Sequence, residues 1–227
     1  MHLVALLLMV VAALFGPQLW AQYTFRRHGR TRNNLPGTGG ELARHLLDRF
    51  GLQAVAVEPT DQGDHYDPET RRVRLSAAYL DGRSLTAIAV AAHEVGHAIQ
   101  HHRREPMLAW RTRLVHLANA AQKVGAGAMI AMPLVALISR SPVMGGLMLL
   151  VGLFSLGGGA LVHLVTLPVE WDASFNKALP ILEKGNYLPE KDRPAVKRIL
   201  RAAALTYVAA SLASLLNLWR WLTILRR

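Results

Sequence analysis

The stretch Ala89–His102, AVAAHEVGHAIQHH, sets two histidines four residues apart with a glutamate directly after the first. On an α-helix, residues four apart stand one above the other, so His93 and His97 can address one ion from the same face. Glu94 is turned from His93 by about 100°, close enough to reach a water on that ion without being a ligand. This is the chemistry of H-E-x-x-H: two imidazoles hold zinc and a carboxylate takes the proton of the attacking water. The chain has no cysteine, so zinc must sit on histidine and carboxylate. The plain alternative is an amphipathic helix with histidines on its polar face, a description that suits His101 and His102. Gly96 costs about 1 kcal/mol relative to Ala inside a helix, which asks for a substrate or a neighbouring backbone close by.

A catalytic zinc needs a third protein ligand. The pattern HExxHxxGxxH is excluded, because Gln100 stands at its glycine and Arg103 at its last histidine. The alternative is a glutamate on a second helix. Glu170, in TLPVEWDAS, stands out beside an apolar run, where an unpaired carboxylate would be costly. Glu183 and Glu190 compete for the role, but they lie among lysines in a solvated stretch.

The elements that must position these residues are read from charge and hydropathy. The chain has 227 residues, is 52% hydrophobic and carries a formal charge of +11. High apolar content together with strong basicity fits segregation into membrane spans, each needing about 20 apolar residues. Four spans are expected, at 3–22, 117–139, 143–167 and 203–224. The first lacks the basic start and the small-residue cleavage site of a signal peptide. Polar regions follow at 26–113, containing the histidine helix at 84–104, and at 168–201, containing Glu170. Arg26, Arg27, Arg30 and Arg32 follow span one, and further basic clusters precede spans two and four. The positive-inside rule then puts both polar regions in the cytoplasm and both termini outside. Two crossings between His97 and Glu170 would return the chain to the same side. Membrane topology accounts for the basicity, so nucleic acid is not expected as a partner.

Thr38 with Glu41 forms a capping-box pattern that opens a helix to about Phe50, with Gly51 as its stop. Ala54–Val57 and Arg71–Leu75 read as strands of a small β-hairpin around the polar turn TDQGDHYDPET. The second strand could bind an extended substrate by strand addition, or the hairpin could be purely structural. The fold class expected is thus mainly α and integral to the membrane. Four transmembrane helices carry a small α+β zincin-like cytoplasmic domain, in which HExxH is joined by a glutamate.

The residues AVAAHEVGHAIQH, the upstream DHYDP and VRLS, TLPVEWDAS and ALTYVAA together resemble the YugP-type membrane zinc metallopeptidases, a bacterial family. The resemblance runs from Ala21-Gln22-Tyr23 to the last span. More distantly, the chain is similar to the HtpX-like membrane proteases. The resemblance implies a multi-pass peptidase of the bacterial inner membrane, with one catalytic zinc held by His93, His97 and Glu170 and with Glu94 as base. Its partners would be the lipid bilayer and a protein or peptide substrate, cut at the cytoplasmic face. In the HtpX-like pattern, an aspartate four residues after the glutamate orients a zinc histidine. Here that position is Ser174, with Asp172 two residues after Glu170, so Ser174 and Asp172 are the candidates for orienting the ligands. His65, Tyr66 and Tyr207 are candidate donors to the developing oxyanion. The rival reading is a zinc-binding membrane scaffold or assembly factor without turnover; the presence of Glu94, which metal binding alone does not need, argues against it.

Overall fold

The computed structural model of the chain describes residues 2–139, 143–144, 146–147, 150–151, 162 and 165–206. The chain divides into two compact units. One comprises Phe15–Ala109 and Pro168–Thr206 and holds all the chemistry considered below; the other comprises Met1–Leu14, Trp110–Leu167 and Tyr207–Arg227.

Helix α1 (His2–His28) is followed by α2 (Gly39–Arg49). The capping box of α2 forms in both directions. Thr38 Oγ1 accepts from the Glu41 N–H at 3.2 Å, and Glu41 Oε2 accepts from the Thr38 N–H at 2.7 Å. Past the other end, Gly51 takes φ +73°, the left-handed conformation that glycine adopts without steric cost. Leu42, Leu46 and Leu47 face inward from α2 and help form a core with α4 (Leu85–His102).

Three short strands, β1 (Ala56–Pro59), β2 (His65–Asp67) and β3 (Arg72–Leu75), form a sheet in the order β1-β3-β2. β1 runs parallel to β3 and β2 antiparallel to it, so Val57 and Tyr66 both oppose Val73. The expected two-stranded hairpin is therefore corrected. The polar stretch read as its turn contributes β2, too short to show alternation. Its Asp67 Oδ1 accepts from the Glu69 and Thr70 N–H groups, turning the chain into β3. β3 is paired on both sides, so it has no free edge for a substrate strand.

After α3 (Ala77–Leu80), Ser84 caps α4 by accepting from the Ala87 N–H at 3.1 Å. α4 is buried nearly all round. Its alanines and Gly96 let neighbours approach: a Cβ on Gly96 would stand 2.8 Å from the Ala173 carbonyl oxygen. The neighbouring backbone is thus the reason for the glycine. Ala173 belongs to a π-helical turn, Asp172–Ala178, which continues a helical stretch at 165–171 and leads into the helix Leu179–Lys184. Helix α5 (Pro106–Ser139) starts with the proline that suits a first turn.

The expectation of four transmembrane helices is overturned. Among the described residues no helix is long and apolar enough to cross a membrane. In α1 the apolar run is interrupted by Pro17 and Gln18. In α5, Arg111 and Arg113 lie near the start and Lys123 at the middle. Most of the proposed spans at 143–167 and 203–224, with Tyr207, lies outside the described residues. The even-crossing argument for Glu170 loses its basis with the spans. What stands, among the described residues, is a mainly helical structure with one small sheet.

Candidate metal centre

His93 and His97 stand on one face of α4, with ring centroids 4.6 Å apart. The close approach permitted by Gly96 brings the 165–178 helix alongside, and Glu170 enters the same space. Its Oε2 lies 3.0 Å from His93 Nε2 and 3.3 Å from His97 Nε2, and the two Nε2 atoms are 3.2 Å apart. All three side chains are buried, Glu170 to 1% exposure. Burial alone would raise the Glu170 carboxyl, but His97 and His93 hold it well below the usual carboxylate range.

This donor set suits zinc. Bonds of about 2.0–2.2 Å to tetrahedral zinc set neighbouring ligand atoms roughly 3.3 Å apart, matching the triangle of two Nε2 atoms and one Oε2. The outer ring nitrogens are already occupied, which leaves the inner ones for a metal. His93 Nδ1 lies 3.0 Å from Ser174 Oγ, and His97 Nδ1 lies 2.9 Å from Gln100 Oε1. Among the described residues, these three form the group of histidines and carboxylates able to hold an ion, with ligand atoms within 4.8 Å of one another.

Glu94 is buried beside His93 and accepts a hydrogen bond from the Tyr66 backbone N–H. Burial lifts its carboxyl to about 7, helped by the negative charge of Glu170 and Asp64 and opposed by His93 and the Tyr66 N–H. A carboxylate tuned near neutrality is suited to taking and returning a proton.

The other residues singled out by the sequence divide between the site and its surroundings. Glu190 is exposed beside Arg193, and neither it nor Glu183 joins the ligand group. His101 Nδ1 lies 2.8 Å from the Tyr66 hydroxyl, and His65 Nδ1 lies 2.8 Å from the Gly63 carbonyl. Ser174 reaches His93 directly. Asp172 touches neither histidine; it accepts from Gln100 Nε2 at 2.7 Å. Gln100, which the sequence offered only as a reason to exclude another pattern, contacts His97. Its position three residues on, one turn along the same face, was the available signal.

A family profile described as "Putative neutral zinc metallopeptidase" matches residues 3–226. The chain belongs to this family. The chain is also 37% identical over 226 residues to the "Putative membrane protease YugP" of Bacillus subtilis (strain 168), covering 96% of each chain. No solved structure matches the chain. A zinc metallopeptidase family and a buried His-His-Glu triangle beside a second glutamate are consistent in chemistry.

Proposed function

We propose that the chain is a zinc-dependent metalloendopeptidase that hydrolyses protein substrates at a membrane. The observation that carries this is the convergence of His93 Nε2, His97 Nε2 and Glu170 Oε2 next to the buried carboxyl of Glu94. Zinc held by these three residues would supply Lewis acidity to the scissile carbonyl and acidify water at neutral pH. Glu94 takes the proton of the attacking water and delivers it to the leaving amine. Ser174 and Gln100 hold the two imidazoles in place. β2 is an edge strand of the sheet, and its Tyr66 backbone meets Glu94.

The membrane assignment rests on the name of the Bacillus relative and on exposed apolar side chains such as Phe15, Leu19 and Tyr23 in α1 and Ile130, Leu134 and Leu137 in α5. Arg26, Arg27 and Arg30 are exposed where α1 ends. Clustered arginines beside apolar side chains suit the anionic cytoplasmic leaflet of a bacterial cell membrane, where membrane or juxtamembrane proteins would be the substrates.

The test is Glu94→Gln. This variant should keep its zinc and lose peptide hydrolysis by about 10²–10⁴-fold. Undiminished hydrolysis would remove Glu94 from the mechanism.

A further inference from the structure

We propose that Gln100 is a positioning residue that sets two of the three zinc ligands at once: it fixes the tautomer of His97 and ties down the backbone beside Glu170. The inference rests on the zinc reading of the site. Gln100 is 2% exposed, and its amide is fully engaged. Its Nε2 donates to the Val169 carbonyl at 3.0 Å and to Asp172 Oδ2 at 2.7 Å. Both partners can only accept, so the amide cannot be reversed: its oxygen would then face a carbonyl and a carboxylate. Oε1 is therefore the atom facing His97 Nδ1 at 2.9 Å, and an amide oxygen only accepts. His97 must carry a proton on Nδ1. That leaves Nε2, which faces His93 Nε2 and Glu170 Oε2, as the nitrogen whose proton a metal would replace.

Val169 immediately precedes Glu170, so the same amide joins α4 to the segment that supplies the third ligand. Asp172 is held in turn. Lys177, 7% exposed, bonds to Asp172 and lies 3.0 Å from Glu105 Oε1. The chain Glu105–Lys177–Asp172–Gln100–His97 thus runs from a surface carboxylate to a metal ligand. The π-helical turn makes room for it: Glu170, Asp172 and Ser174 have separate tasks in the site, with Ser174 serving His93 alone. In many zinc sites a carboxylate reaches the histidine directly; here an amide stands between them.

The experiment uses the full-length chain with two readouts. Zinc affinity is measured by competition with a chromophoric chelator. Imidazole ¹⁵N shifts of the metal-free protein report the tautomer of each histidine. Gln100→Leu should weaken zinc binding about 10–100-fold and convert His97 from the Nδ1–H form to a mixture, with His93 unchanged. Ser174→Ala should do the reverse, perturbing His93 and sparing His97. If Gln100→Leu does not fold, Asp172→Ala carries the test: it frees one of the two amide donors and should shift the His97 signal with a smaller loss of zinc affinity. Zinc affinity within about twofold of the unsubstituted chain in the folded variants, or an unchanged His97 signal, would overturn the proposal. The metal reading fails separately, if the unsubstituted chain binds no zinc while His97 keeps its Nδ1–H form.

Discussion

Asp172 shows how the charges around the site are balanced. Burial would raise its carboxyl, but hydrogen bonds from Lys177, Gln100 and Asn176 hold it down at about 2, against an ordinary 3.8. A carboxylate whose pKa falls on folding stabilises the folded state fully above its unfolded value. That contribution is lost as pH drops through the folded one. Metal-free protein should therefore lose stability between about pH 4 and pH 2, and Asp172→Asn should flatten that part of the profile in a thermal melt followed by circular dichroism. An unchanged slope would mean that Lys177 does not hold the carboxylate as the geometry indicates. The sequence was informative where a motif fixes spacing: that His93 and His97 share one helix face could be read from five letters. Gln100 offered only its spacing from His97, because a glutamine on a helix is ordinarily solvated and nothing local says that it is buried against Val169.

Among the elements, the packing of α4 against the π-helical turn is decisive. Gly96 faces the Ala173 carbonyl so closely that a methyl group would stand 2.8 Å from it, and backbone cannot swing aside as a side chain can. Gly96→Ala should push the turn away, destabilising the fold by about 1–3 kcal/mol. It should also reduce zinc affinity, because Glu170 and Ser174 ride on the displaced segment. Denaturant unfolding and chelator competition on the same sample would check both effects, and wild-type values in each would refute the packing argument. The α2 cap and its glycine stop were legible because they are local chemistry, Thr38 with Glu41 and then Gly51. The π-helix was not, since an extra residue per turn leaves no mark on composition. Nor was β2, a three-residue strand whose existence depends on β3 lying next to it.

For the whole molecule, the sequence misled. Long uncharged runs suggested four membrane crossings, yet α1 carries Pro17 and Gln18 within its apolar run and α5 carries Arg111 and Arg113 near its start and Lys123 at its middle. Hydropathy reports composition and cannot say how much of a run one helix keeps in register. The exposed apolar side chains and terminal arginines of α1 instead predict association with anionic surfaces. The purified chain should float with phosphatidylglycerol vesicles more than with phosphatidylcholine vesicles, and the difference should shrink at 0.5 M salt as charges are screened. Equal flotation with both would leave the arginines without that role.

Metal content tests the central claim most directly. Purified chain, loaded with zinc, desalted and analysed by mass spectrometry, should carry one zinc per molecule. Glu170→Ala, which removes the ligand contributed from outside α4, should carry far less at the same protein concentration. Full zinc occupancy in Glu170→Ala, or none in the unsubstituted chain, would contradict the account.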